Sequence, residues 1–348
     1  MPIDDVALGT LAGDRTAGLP AASRYEVILI AVVIGACAAF LSWRGGGIVG
    51  RSDFDQLWYG ANAILRGVSP YDVVGPGRTF DWPYPLFYPL PGVIAALPFV
   101  VLSVTMASVV FSGVSAALLI YALSRDAPYR LAAAASFSFF FAVAVSQWSP
   151  LLIAAVLLPG LGFLLVAKPT IGFALWLYRP RWQSAAAGAL LLLVSVAVQP
   201  SWPSEWLATF RAGDHIGAPI THLGGPLLVL ALLRWRRPEA RLLVAMACIP
   251  HTTLLYEILP LFLIPASWPQ SILLAGLTWI AQAADLWFGP YPTLTDQTRT
   301  AAAVSVVLCY LPCLLMVLRR PNDGSTPMWL ERTAARFRTC PVAGDTVD

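Results

Sequence analysis

The sequence predicts an all-α integral membrane protein that crosses the bilayer many times, and three observations carry that reading. Hydrophobic residues make up 58% of the 348, charged residues only 12%, and mean hydropathy is +0.70, well outside the usual range for soluble domains. Apolar runs of bilayer-crossing length recur along the chain, with arginines gathered in the short turns between them. Residues 51–91 are the exception, a long polar and aromatic loop in an otherwise apolar chain. A loop this long inside a compact domain is functional or disordered, and its aromatics and spaced prolines argue against disorder.

Composition also excludes several classes. The net charge of +3 carries no nucleic-acid signature, because in a membrane protein the placement of basic residues reports orientation. Cys37, Cys248, Cys309 and Cys313 fall in apolar runs, where a free thiol behaves as a small hydrophobe, so no disulfide framework is expected. Cys309 and Cys313 share a helix face, but neither has a histidine or acid at ligand spacing, and no metal site is expected. Walker, dinucleotide, HExxH and GxSxG patterns are missing from the sequence, so no cofactor is expected either.

Taken in order, residues 1–24 form a polar cytoplasmic tail, and 27–43 are long enough to cross a bilayer. Ile34-Gly35-Ala36-Cys37 faintly resembles a lipoprotein cleavage box, yet the many later spans favour an uncleaved first helix. Beyond the loop, 92–121 is interrupted by Pro98 and holds one span plus a half-helix, or two short spans. Segments 131–145 and 151–166 pair around a tight turn at 146–150, and Lys168-Pro169 opens a short segment ending at Tyr178. Segments 184–198, 220–233, 242–265, 272–288 and 301–318 complete roughly ten or eleven spans by the span-length rule. The membrane domain is thus 25–320, with an extracytoplasmic loop at 44–90. A cytoplasmic tail follows at 321–348, where Arg332, Arg336 and Arg338 suit an amphipathic surface helix. No usable internal repeat is found.

Arginine sets the orientation. Arg125 and Arg130, Arg179 and Arg181, Arg234 with Arg236, Arg237 and Arg241, and Arg319 with Arg320 occupy short turns and assign those turns to the cytoplasm. The loop 51–91, the Trp-rich turn 199–217, the Pro250-His251 turn and 289–299 then face outward, with His215, His222 and His251 on or near that side. The expected location is the plasma (inner) membrane, with the active face extracytoplasmic.

Candidate residues concentrate on that face. Ser52 can cap a short helix whose first turn holds Asp53 and Asp55. Leu57, Trp58, Ala61, Ile64 and Leu65 recur at helical spacing, and Gly67 with Pro70 ends the helix. Both acids are equally suited to complementing the helix dipole alone, and because they point in different directions, at most one faces a site. Asp72 and Asp81 are weaker candidates, since Asp is common in turns for backbone reasons. Tyr59, Trp82, Tyr84, Phe87 and Tyr88 either stack on a sugar ring or form an aromatic belt. Lys168 is the sole lysine among 22 basic residues; it either snorkels to an interface or binds phosphate. His251 sits at a helix break with Tyr256 and Glu257 following, and Glu257 and Asp285, acids in apolar surroundings, need partners: each other or an arginine.

Ser52-Asp53-Phe54 with Tyr59 and Ala61, Leu65-Arg66-Gly67 with Pro70-Tyr71, and Tyr88-Pro89-Leu90-Pro91 ahead of an apolar helix resemble the first extracytoplasmic loop of the C-fold polytopic glycosyltransferases. Among them the pattern resembles glycosyltransferase family 87, the polyprenyl-phosphate-mannose-dependent mannosyltransferases and their relatives. The Ser146-Gln147 turn, Lys168-Pro169, and Pro250-His251 with Tyr256 fall in a similar order, so the resemblance covers about residues 51–265; Leu90 departs from the family's Tyr-Pro-Pro. The resemblance implies a C-type glycosyltransferase fold. It also implies transfer of a sugar, mannose in the best-known members, from a polyprenyl-phosphate donor to an acceptor hydroxyl with inversion. The acceptor is a glycan or glycolipid on the extracytoplasmic side.

On that resemblance the family's essential acid carries over to Asp53, its tyrosine turn to Tyr71, and its basic and histidine positions to Lys168 and His251. The chemistry is compatible. Asp53 would take the proton of the attacking hydroxyl, and Lys168, His251, Arg66 or Arg78 would meet the charge of the departing phosphate. Tyr59, Tyr71 and Tyr88 complete the expected donor site, with Asp55, Gln147, Tyr256 and Glu257 as secondary candidates. Two other readings compete: a transporter or flippase of a lipid-linked saccharide, which favours broken helices and internal repeats, and an inactive membrane scaffold.

Overall fold

The computed structural model describes residues 24–45, 51–211 and 217–324. The expectations for the N-terminal tail, for Arg332, Arg336 and Arg338, and for His215 lie outside the described residues. The chain opens with α1 (Arg24–Gly45), and the polar loop then folds. Helix α2 (Asp53–Leu65), the single turn α3 (Pro70–Val73) and a two-residue parallel pairing of β1 (Val74–Gly75) with β2 (Phe80–Asp81) lead into α4 (Leu90–Ala95). Then come α5 (Val104–Asp126), α6 (Phe137–Ala144), α7 (Ser149–Leu157), α8 (Pro169–Tyr178), α9 (Trp182–Val198) and α10 (Trp202–Arg211). The last elements are α11 (Pro238–Cys248), α12 (Trp268–Phe288), α13 (Leu294–Ser305) and α14 (Leu311–Leu318). About 76% of the described residues are helical and almost none are strand.

Among the described residues, Arg24–Gly45, Val104–Asp126, Trp268–Phe288 and Thr295–Leu318 are long and apolar enough to cross a membrane. The pairs α6–α7, bent by 110°, and α9–α10, bent by 100°, raise the number from 4 to 6 if each counts as one span. The other apolar runs expected as spans are short or wound as 3₁₀ helix, at Pro128–Ala135, Pro159–Ala167, Gly225–Arg234 and Leu255–Leu263. Proline contributes in two ways: Pro128 and Pro159 start their segments and so bar the preceding helix from continuing through them, and Pro260 inside Leu255–Leu263 removes a donor from the helical ladder. Apolar content sets burial, whereas the prolines set how far one helix runs. Residues 92–121 give the half-helix plus one span of the two alternatives, α4 followed by α5.

Helices α1 and α5 cross on small residues. A Cβ on Gly35 would lie 2.8 Å from both Ala117 Cβ and the Gly113 carbonyl oxygen, and one on Gly113 would lie 3.0 Å from Ala39 Cβ. Close backbone approach of this kind is how helices associate in lipid. Every residue of α7 is buried, as befits a helix apolar on all sides, so α7 forms the centre about which the rest pack. The loop docks through α2: Phe54 stacks on Phe111 with centroids 4.1 Å apart and meets Phe99 edge-on at 5.3 Å. Trp58 Nε1 donates to the Leu102 carbonyl at 3.1 Å.

The four arginine turns meet in one cluster. Arg130 pairs with Asp126 and donates to Tyr178 Oη at 2.9 Å and to the Leu263 carbonyl at 2.6 Å. Arg179 reaches the same Asp126 at 2.9 Å. Arg320 bonds the Ile264 carbonyl at 2.7 Å and Glu239 at 3.1 Å, Arg234 bonds the Arg320 carbonyl at 2.6 Å, and Arg241 bonds the Leu177 carbonyl at 2.9 Å. Several of these carbonyls end helical segments and have no partner within them. Three elements join this cluster to the polar side of the molecule: α8 follows Lys168 and runs to Tyr178, Leu255–Leu263 carries Glu257 in its first turn, and α11 leads from Glu239 towards His251.

Candidate functional site

Asp53 and Asp55, two positions apart on one helix turn, are separated by capping. Ser52 Oγ accepts from Phe54 N at 3.1 Å while Asp55 Oδ2 accepts from Ser52 N at 3.0 Å, a reciprocal capping box. Asp55 Oδ1 accepts from Ser108 Oγ at 2.7 Å, so Asp55 holds α2 to α5. Asp53 instead turns into a cavity of about 400 Å³. Its Oδ2 accepts from Tyr88 Oη at 2.6 Å and Gln147 Nε2 at 2.7 Å, and its Oδ1 from Gln56 Nε2 at 2.7 Å. A carboxylate has about four acceptor sites, which leaves one for an incoming hydroxyl. Burial raises the pKa of Asp53, outweighing the Lys168 charge and the Tyr88 and Gln147 hydrogen bonds that lower it.

Gln147 reaches Asp53 because the chain kinks between α6 and α7. Ser146 takes φ of +55°, which is costly for a residue with a Cβ and marks functional turns. Its hydroxyl lies 3.0 Å from Ser42 Oγ and 2.9 Å from Ser112 Oγ, and Ser112 in turn lies 3.0 Å from the Val143 carbonyl. A buried serine cluster thus holds the kink, and the turn aims Gln147 at both Asp53 and Lys168.

Lys168 precedes α8, with Pro169 as that helix's first residue. Its ammonium pairs with Glu257 Oε1 at 2.7 Å and Gln147 Oε1 at 3.3 Å, over the rings of Tyr88 (5.7 Å) and Tyr256 (5.2 Å), a cation–π setting. A Cβ on Gly92 would come within 2.6 Å of the Ala167 carbonyl oxygen, so α4 presses on the backbone just before Lys168. Glu257 is 2% exposed. Its Oε1 also accepts from Thr252 at 3.0 Å, while Oε2 has no partner, unusual for a buried carboxylate.

Asp53, Gln147, Lys168, His251, Tyr88, Tyr256 and Glu257 all line this one cavity, with Trp82, Tyr84 and Phe87. His251 is already engaged: Nδ1 lies 2.7 Å from the Ile249 carbonyl and Nε2 3.3 Å from Tyr310 Oη. Tyr71 supports the site from behind, donating to the Tyr88 carbonyl at 3.2 Å. Tyr59 stacks on Phe80 at 4.3 Å outside the cavity lining.

Arg66 and Arg78, expected to meet phosphate, are exposed and do not line the cavity. Arg66 follows the end of α2, and Arg78 pairs with Asp72 at 3.5 Å; a loop tip leaves long cationic side chains in solvent. Asp81 accepts from Gly77 N at 2.9 Å, the turn role its residue type suggests. Glu257 finds Lys168 rather than an arginine. Asp285 accepts from Tyr291 Oη at 3.1 Å and Gln297 Nε2 at 3.4 Å.

Sequence reasoning missed Gln56, Thr252, Trp206, Phe210, Gln282, Gln297 and Ser305, which also line the cavity. Gln56 carried a usable signal, three residues after Asp53 on one helix face. For α10, α12 and α13 the arginine-set orientation put 199–217 and 289–299 on the loop's face, but nothing local singled out a residue, because only tertiary packing brings them to the loop; Trp206 Nε1, for one, donates to the Phe87 carbonyl at 2.8 Å. Among the described residues no group of His, Cys, Asp and Glu is arranged to hold a metal ion. No protein-family model, curated protein or solved structure matches the chain.

Proposed function

We propose that this protein is a membrane glycosyltransferase of the C-type fold that moves a sugar from a polyprenyl-phosphate carrier to an acceptor hydroxyl with inversion. The observation that carries the reading is the unbroken row from Asp53 through Gln147 to Lys168 and Glu257 within one aromatic-walled cavity. It supplies a desolvated base and a fixed cation side by side.

Asp53 takes the proton of the acceptor hydroxyl as its oxygen attacks the anomeric carbon. The bond from that carbon to the phosphate oxygen breaks on the opposite face, and its electron pair leaves with the phosphate. Of the three ammonium donors of Lys168, two have partners and one is left for the departing phosphate oxygen. Lipid phosphate is a competent leaving group, so no separate acid is needed. Mannose is the proposed donor sugar on the strength of the loop motifs alone. Convergence of the arginine turns supports a cytoplasmic arginine end and an extracytoplasmic reaction at the plasma (inner) membrane.

The test is reconstitution in proteoliposomes with polyprenyl-phosphate-mannose and a panel of glycan and glycolipid acceptors. Wild type forms a glycosidic product, and Asp53→Asn loses about a hundredfold to ten-thousandfold of the rate. Equal transfer by the two proteins would remove Asp53 as the base. The sharply bent pairs α6–α7 and α9–α10 favour one second reading, a flippase for lipid-linked saccharide. Donor crossing the bilayer with no product formed would establish it.

A further inference from the structure

Helices α12 and α13 contribute a wall of the cavity that the Asp53–Lys168 row does not use. Ala281, Gln282 and Asp285 on α12, and Gln297, Ala301 and Ser305 on α13, all face the cavity, spaced as one face of each helix. The alanines leave room, and the planar polar groups stand around it.

Three features single out this wall. Asp285 is the one charged residue of α12, and among the described residues it has no cationic partner; its two hydrogen bonds, 3.1 Å from Tyr291 and 3.4 Å from Gln297, leave acceptor sites open. Ser305 is 1% exposed and its hydroxyl has no partner, although buried hydroxyls are nearly always bonded. Immediately after Ser305 the chain makes a π-helical turn, Val306–Tyr310, a feature frequent at functional sites. Trp206 and Phe210 from α10 line the same cavity with flat apolar surface.

We propose that this wall is the subsite for a neutral saccharide, which under the transfer reading above is the acceptor sugar. Asp285 and the two glutamine amides match hydroxyls, which donate and accept at once. The rings of Trp206 and Phe210 match the C–H face of a pyranose. Lys168 and its row are left free for the phosphate-bearing donor.

The experiment reads binding directly, so it does not depend on turnover. Protein in lipid nanodiscs is titrated with methyl α-mannoside, methyl α-glucoside, methyl β-galactoside and the cationic methyl β-glucosaminide, using saturation-transfer NMR. At least one neutral glycoside is expected to show ring-proton contacts, weakened about tenfold or more in Asp285→Asn and in Gln297→Ala and retained in Arg66→Ala, whose side chain lies outside the cavity. Absence of neutral-glycoside contact, or contact equal in wild type, Asp285→Asn and Gln297→Ala, overturns the proposal. Asp285-dependent contact by the glucosaminide alone also overturns it, in favour of an ammonium site. If the subsite binds neutral glycosides while no transfer is ever found, the subsite stands and the transfer reading fails.

Discussion

The two polar regions of this protein use charge in opposite ways, although the same short elements join them. At the arginine end, Arg130, Arg179, Arg320 and Arg241 close onto Asp126, Glu239 and the carbonyls that end neighbouring helical segments. None of these residues lines the cavity. At the Asp53 end, one lysine and two acids are held by amides and phenols in a cavity, and Glu257 keeps an oxygen without a partner. Ten residues of α8, about 15 Å of helix, separate the two. Buried atoms without a hydrogen-bond partner occur at both ends, Arg130 Nε and Glu239 Oε2 at the one and Glu257 Oε2 at the other; only beside open volume is that spare valence available to a ligand.

That contrast is most strongly tested by Asp53→Asn. Transfer should fall by about a hundredfold to ten-thousandfold while folding holds. The sign of the stability effect follows from burial: the raised pKa of Asp53 means that its contribution to stability is present at low pH and lost as pH rises through the folded-state value. Above that value the ionised carboxylate costs stability, and thermal unfolding of Asp53→Asn there should occur no lower than wild type. The same raised pKa puts the acidic limb of the wild-type pH–rate profile above the usual carboxylate range. A limb at the position of a solvent-exposed aspartate would contradict the burial argument.

Arg130→Met should do the reverse, destabilising by about 3–5 kcal/mol because Asp126 is left buried without its main partner. Any activity that survives should show an unaltered pH profile. Lys168→Met strands Glu257 in the same way and also removes the proposed phosphate partner. Adding Glu257→Gln should restore most of the stability but no transfer, measured as thermal unfolding and rate on the same preparations. Recovery of both would make Lys168 a structural residue, like those at the arginine end.

The difference between the ends also explains what the sequence could reveal. Membrane character and the folded loop are local properties, legible from hydropathy and helix capping; the divergence of Asp53 and Asp55 on one turn is local too, but the choice of Asp53 comes from the resemblance of the loop motifs. The arginine turns were recognisable as a set, though their mutual contacts were not. Span number was poorly legible, because apolar runs rich in proline bury well yet wind as short or 3₁₀ helices. Gln282, Gln297 and Ser305 were invisible, since nothing near them in the chain refers to a loop more than two hundred residues earlier.

The smallest expected effect is the sharpest check on where the site ends. Arg66 and Arg78 lie in the same loop as Asp53 and carry the charge a phosphate would need, so proximity in sequence argues for a role. Both are exposed, and Arg78 meets an Asp72 whose side chain is 67% exposed at 3.5 Å, a pair worth about 0–1 kcal/mol in solvent. Neither faces the cavity, and ionic screening weakens solvent-exposed charges beyond about 8–10 Å. Arg66→Ala and Arg78→Ala should therefore each shift stability by no more than about 0.5 kcal/mol and leave the donor KM within about twofold, since a full tenfold change requires about 1.4 kcal/mol. A tenfold rise in donor KM for either variant, at unchanged stability, would show that the loop tip folds over the donor and that the cavity extends to a region the structure leaves in solvent.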